Sequence, residues 1–146
     1  MYKKVLVTVD LGREQNAIKL CKTAAGMSGE DTQIRLMSVA PGYGMPLVAS
    51  FFPADAKQKV HDELMRLLTK LAKAHLPDNN VSLRIREGKR AGMILEEAIK
   101  WEADLIVVGS RKKLSRDGQR VLGSCSSSVA DRAQCNVLIV RGLPLK

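Results

Sequence analysis

The sequence predicts a single α/β domain built on an open, five-stranded parallel sheet with helices on both faces. Three observations carry this reading. Five short segments rich in β-branched and aliphatic residues are spaced along the chain, and stretches with a helical apolar period separate them. The 146 residues contain no linker, internal repeat or low-complexity tract, and their length suits one domain with a real core. Strands alternating with helices imply right-handed βαβ crossovers and therefore a parallel sheet.

The first strand is expected over residues 4–9, where Val5-Leu6-Val7-Thr8-Val9 is nearly uninterrupted. Asp10 stops that run and no small-residue cleavage site follows, so a buried strand is a better reading than a signal peptide. Ala17, Ile18, Cys21, Ala24 and Ala25 then form the apolar stripe of a first helix. The second strand is expected over residues 33–39. The segment from Pro41 to Pro53, with Gly42, Gly44 and the pair Phe51-Phe52, is long for a strand-to-helix connection. It either caps the sheet or forms a flap over a ligand, and the two phenylalanines favour packing.

Val60, Leu64, Leu67, Leu68 and Leu71 mark a second, longer helix that Pro77 and Asp78-Asn79-Asn80 end. Residues 81–86 alternate apolar and polar, the pattern of a half-exposed edge strand. Ile94, Leu95, Ala98 and Trp101 give a third helix; Glu96, Glu97 and Glu102 read as its solvated face. Residues 104–109 and 136–141 hold the runs Leu105-Ile106-Val107-Val108 and Val137-Leu138-Ile139-Val140, expected of strands covered on both faces. Between them Leu122, Cys125, Val129 and Ala133 mark the fourth helix.

Composition narrows the function. No stretch approaches the ~20 apolar residues of a membrane span, and the expected location is cytoplasmic. Cys21, Cys125 and Cys135 lack CxxC spacing and read as small, buried thiols in a reducing compartment; His61 and His75 have no second ligand at helical spacing, so no metal site is expected. The net charge of +9 permits attraction to nucleotides, nucleic acid or acidic lipid and selects none of them. Aromatic residues make up only 3% of the chain, which argues against a single-strand nucleic-acid platform.

In an open parallel sheet, ligands bind beyond the carboxyl ends of the strands. Those ends carry Asp10, Val39, Gly88-Lys89-Arg90 and Gly109-Ser110-Arg111-Lys112-Lys113, followed by Gly123-Ser124 at the start of the last helix. Gly109 admits close backbone approach, and Gly123-Ser124 offers helix-terminal amides to an anion. Lys89, Arg90, Arg111, Lys112, Lys113, Arg116 and Arg120 supply seven of the 24 basic residues from two connections. These residues read either as a phosphate-attracting rim or as solvated loop side chains. Asp10 could accept a hydrogen bond from a sugar or an adenine amino group, or serve a turn and helix cap. Neither a GxxxxGK[ST] loop nor a dinucleotide fingerprint is present, and no histidine accompanies the serines at 124 and 126–128 as a catalytic base would. An enzyme is not expected; slow ATP hydrolysis would lack an evident base to activate water.

Val5 to Asp10, the blocks at 84–88, 94–98 and 103–111, and the ending from Val121-Leu122-Gly123-Ser124 to Val140-Arg141 together resemble the universal stress protein family, over residues 3–141. The resemblance implies a Rossmann-like sheet of order 3-2-1-4-5 and homodimers paired through the last strand, here Val137, Leu138, Ile139, Val140 and Arg141. Members that bind ATP carry G-x2-G-x9-G-[ST] after the fourth strand. Gly109 and Gly123-Ser124 match its ends, Lys112 stands at the middle glycine, and the interval to Gly123 is one residue longer. Carried over, Asp10 would meet the adenosine, the Val39 backbone the adenine, and Gly109, Gly123, Ser124 and Ser126 the phosphates. Arg111 and Lys112 would add charge there. ATP, possibly with Mg, is the cofactor this implies. A nucleotide-free dimeric interaction protein is the alternative that Lys112 favours, and a basic nucleic-acid binder is a weaker one.

Overall fold

The computed structural model describes residues 1–40, 55–110, 113–114, 116–118 and 120–142. The segment Pro41 to Pro53 lies outside them. Five strands form one parallel sheet in the order β3-β2-β1-β4-β7, from β1 (Lys4–Thr8), β2 (Gln33–Ala40), β3 (Asn80–Glu87), β4 (Leu105–Ser110) and β7 (Asn136–Arg141). This is the 3-2-1-4-5 order, once the short antiparallel hairpin of β5 (Lys113–Leu114) and β6 (Arg120–Val121) is set aside.

Four described helices flank the sheet: α1 (Glu14–Gly26), α2 (Ala56–His75), α3 (Arg90–Trp101) and α4 (Ser124–Arg132). Strand alternation divides the core in two. Val5, Val7, Ile34, Leu36 and Val107 face α1 and α2, meeting Ala17, Leu20, Cys21, Ala24, Leu68 and Leu71. Leu6, Met37, Ile106 and Val108 face the other way, toward Ile94, Ala98 and Val129 of α3 and α4. The central strands are buried on both faces, as their unbroken apolar runs require.

The edges differ from the centre. β3 is half exposed, as its alternation predicts. β7 is also half exposed along Val137–Val140, less covered than an unbroken apolar run predicts, because among the described strands it pairs with β4 alone. Among the described residues no helix is long and apolar enough to cross a membrane.

One reading of the sequence is corrected. Glu97 does not lie on a solvated face; it is only 3% exposed, buried between α3 and the sheet. Arg35 from β2 and Arg84 and Arg86 from β3 converge on it at 2.7, 3.2 and 2.9 Å. Burial pushes its carboxyl up, but hydrogen bonds from Arg86 and Arg35 outweigh that and hold it below the usual carboxylate range. Arg35 also lies over the Trp101 ring, 4.6 Å from its centroid. Glu96 is half-buried at the surface, bridged to Arg86 and Lys100.

Candidate functional site

Beyond the carboxyl ends of β1 and β4, where the chain crosses to opposite sides of the sheet, lies a cavity of about 360 Å³. That position is the one at which open parallel sheets hold ligands, and the volume is within the range of small-molecule sites. Asp10, Val39, Gly109, Gly123, Ser124 and Ser126 all line it. Six of the eight residues singled out from the sequence therefore meet around one space; Arg111 and Lys112 lie outside the described residues, as do the side chains of Lys113 and Arg120.

Each lining residue is placed by its element. Asp10 follows β1 and folds back locally: its Oδ1 accepts the Gly12 amide at 3.0 Å, while the Arg13 amide bonds the Asp10 carbonyl at 3.0 Å. The residue shapes the turn into α1 without being that helix's N-cap, which is Arg13. Its Oδ2 stands 3.8 Å from Arg90 at the start of α3. The floor is the apolar end of the strands, Val9, Met37 and Val108.

Opposite, α4 begins at Gly123, the N-cap, and its first intrahelical bond runs from the Ser127 amide to the Gly123 carbonyl. The amides of the preceding turn have no helical acceptor, the arrangement that attracts anions. A Cβ at Gly123 would find its nearest neighbour, Ser126 Oγ, at 4.0 Å, so the space in front of the helix is open. The Ser126 hydroxyl is buried and donates to the Gly123 carbonyl at 3.3 Å, so it braces the helix start.

The cavity has a wall that the sequence did not disclose. Arg13, Asn16 and Lys19 reach it from one face of α1, and Arg141 and Gly142 from the end of β7. Their i, i+3, i+6 spacing reads as an ordinary polar helix face until the fold brings it over β4. Lys19 Nζ donates to the Arg141 carbonyl at 2.7 Å, tying α1 to the end of β7. Gly142 is forced by proximity: a Cβ there would stand 3.2 Å from both Asn16 Nδ2 and the Ser110 carbonyl. Among the described lining residues Arg13, Lys19, Arg90 and Arg141 are cationic and Asp10 is the sole carboxylate, so the described lining carries a net positive charge.

The chain matches the universal stress protein family over residues 1–141. The chain belongs to that family. Universal stress protein G of Salmonella typhimurium is 28% identical over 145 residues, covering 97% of this chain and all of that one. Universal stress protein A homolog 2 of Coxiella burnetii is 29% identical over 148 residues, covering 96% and 95%. Among solved structures, that of a universal stress protein in complex with cAMP superposes with a TM-score of 0.63 at 25% identity, covering 95% of this chain and 96% of that one.

Other candidate chemistry is not gathered here. Among the described residues no group of three or more His, Cys, Asp and Glu is placed to hold a metal ion. Burial in the core pushes the Cys21 thiol up to about 12, far from a reactive thiolate.

Proposed function

We propose that this universal stress protein binds ATP or a related adenine nucleotide in the cavity beyond β1 and β4, and acts as a homodimeric, nucleotide-linked signalling or protective module. The observation that carries the reading is the cavity itself: among its described lining, one carboxylate, Asp10, an apolar floor, and an open helix N-terminus among four cationic side chains. That donor set fits a nucleotide, with the carboxylate for adenosine hydroxyl or amino groups and the amides and cations for phosphate. The cAMP complex of a family member supports the same ligand class. The described lining builds no metal site of its own, since its single carboxylate already accepts the Gly12 amide. Any Mg would depend on phosphate and water ligands.

The dimer contact we infer is the free edge of β7, where Val137, Leu138, Ile139 and Val140 are only partly covered and Arg141 is exposed. An uncovered edge strand is a ready pairing surface. The replacement of the motif's middle glycine by Lys112 favours a second reading, a nucleotide-free dimer of the same fold.

One experiment separates the two. Freshly purified protein is denatured and its released small molecules identified by mass spectrometry; the emptied protein is then titrated calorimetrically with ATP, ADP, AMP and cAMP. Saturable binding that Gly123→Val abolishes is the expected result. The open space in front of Gly123 lets valine be accommodated without unfolding the helix. No released nucleotide and no heat at millimolar ligand would establish the nucleotide-free reading.

A further inference from the structure

The sheet ends opposite β7 at β3, whose outer edge no described strand covers. The strand is eight residues long, Asn80–Glu87, and among the described residues pairs only with β2. The Gly88 amide donates to the Ala40 carbonyl at 3.1 Å, so Arg86, Arg84 and Ser82 point their backbone groups the same way, toward β2. By alternation the amides and carbonyls of Leu83 and Ile85 face the open edge.

The side chains divide equally sharply. Val81, Leu83 and Ile85 pack into the core beside α1 and α2, whereas Ser82, Arg84 and Arg86 occupy the face shared with α3. There Glu97 clamps the guanidinium groups from beneath. Arg84 uses Nε on Glu97 and leaves both terminal nitrogens without a partner among the described residues. Arg35 uses Nε on Ser82 and Nη1 on Glu97, leaving Nη2 without a partner among the described residues. Its plane is further fixed over Trp101. In this cluster Arg35, Arg84, Arg86 and Lys100 share Glu96 and Glu97, while Lys4 Nζ donates to the Trp101 carbonyl. The surplus is cationic, and the side chains that carry it are held in position, which lowers the ordering entropy of binding.

We propose that the β3 edge accepts an extended acidic segment of a partner protein as an added strand, its carboxylates at alternate positions seated on the outward guanidinium nitrogens of Arg84 and Arg35. Strand addition supplies main-chain hydrogen bonds at Leu83 and Ile85, and the fixed arginines supply selectivity for acidic side chains. A strand of alternating Glu and an apolar residue matches both faces. Its carboxylates meet the arginine side, and its apolar residues extend the surface of Val81, Leu83 and Ile85.

The probe is the peptide acetyl-Glu-Val-Glu-Val-Glu-Val-amide, followed by calorimetry and by fluorescence of Trp101, the chain's single tryptophan. Hydrogen exchange at the Leu83 and Ile85 amides is measured in parallel. Saturable binding, slowed exchange at those amides and at least about tenfold weaker binding by Arg84→Gln are expected, the loss typical of one charge-assisted contact. Arg84 is half exposed, and Arg35 and Arg86 remain on Glu97 in the variant, so its fold is retained. Gly123→Val should leave peptide binding unchanged. The proposal is overturned by no saturable binding, or by equal binding of the Lys-Val counterpart. A proline-interrupted Glu peptide binding as well would reduce the surface to a charge attraction without strand addition. Loss of binding with Gly123→Val would move the peptide to the nucleotide cavity.

Discussion

Two carboxylates of this molecule sit among arginines, and they do opposite things. Glu97 is buried and touched by three guanidinium groups at 2.7–3.2 Å. Asp10 is partly open, and Arg90 stands 3.8 Å from it beside a cavity that Arg13, Lys19 and Arg141 also line. Both neighbourhoods are rich in positive charge, so counting charges does not tell them apart; contact does. At Glu97 the carboxylate is saturated, and its contacts fix the angle of α3 on the sheet. At Asp10 the cations are spread around empty space, where their field acts on whatever enters.

The comparison breaks most visibly if Glu97 is removed. Glu97→Ala would leave three arginines, two of them largely buried, facing one another without their common partner. Breaking a buried ion pair from one side costs about 3–5 kcal/mol, and the half-exposed Arg84 places the expected loss toward the lower end. Urea unfolding followed at Trp101 measures it directly, and a loss below about 1 kcal/mol would mean that the cluster is no anchor. The pH dependence has a definite sign. Glu97 titrates below the usual carboxylate value of 4.5 when folded, so its contribution is complete above that pH and disappears as pH falls through the lowered folded value. Glu97→Gln should therefore have a flatter stability profile between neutral pH and pH 3 than the parent, on a lower baseline.

These same two regions show what a sequence discloses. The strands were legible because buried parallel strands are written as unbroken aliphatic runs, and the β3 edge because its alternation exposes one face. The rim residues Asp10, Gly109 and Gly123 were legible because each stands at the end of such a run or the start of the next helix. Glu97 was misread with Glu96. Its burial comes from Arg35, 62 residues away, and from the arginines of β3, and nothing local to α3 marks it. The α1 wall of the cavity was missed for a related reason, since Arg13, Asn16 and Lys19 have the spacing of any solvated helix face. The hairpin β5–β6 went unseen because two-residue strands are too short to show a period. Residues whose environment comes from neighbours in sequence could be read; those whose environment comes from the fold could not.

The smallest perturbation separates the two roles of Asp10. Asp10→Asn keeps an oxygen for the Gly12 amide and weakens the long attraction to Arg90, in which both side chains are substantially solvated. Such a pair contributes at most about 1 kcal/mol, so thermal stability should barely change. Binding should change selectively. If the carboxylate accepts hydrogen bonds from the adenosine, its loss weakens ATP about tenfold, the order of one charge-assisted hydrogen bond. Tripolyphosphate has no adenosine to recognise, and it should bind the variant at least as well, because removing the only negative charge of the described lining strengthens the field of the four cations. Calorimetry with both ligands reads the ratio. A parallel loss for ATP and tripolyphosphate would assign Asp10 to the turn into α1 alone, with the anion held by the cations and the α4 amides whatever is attached to it.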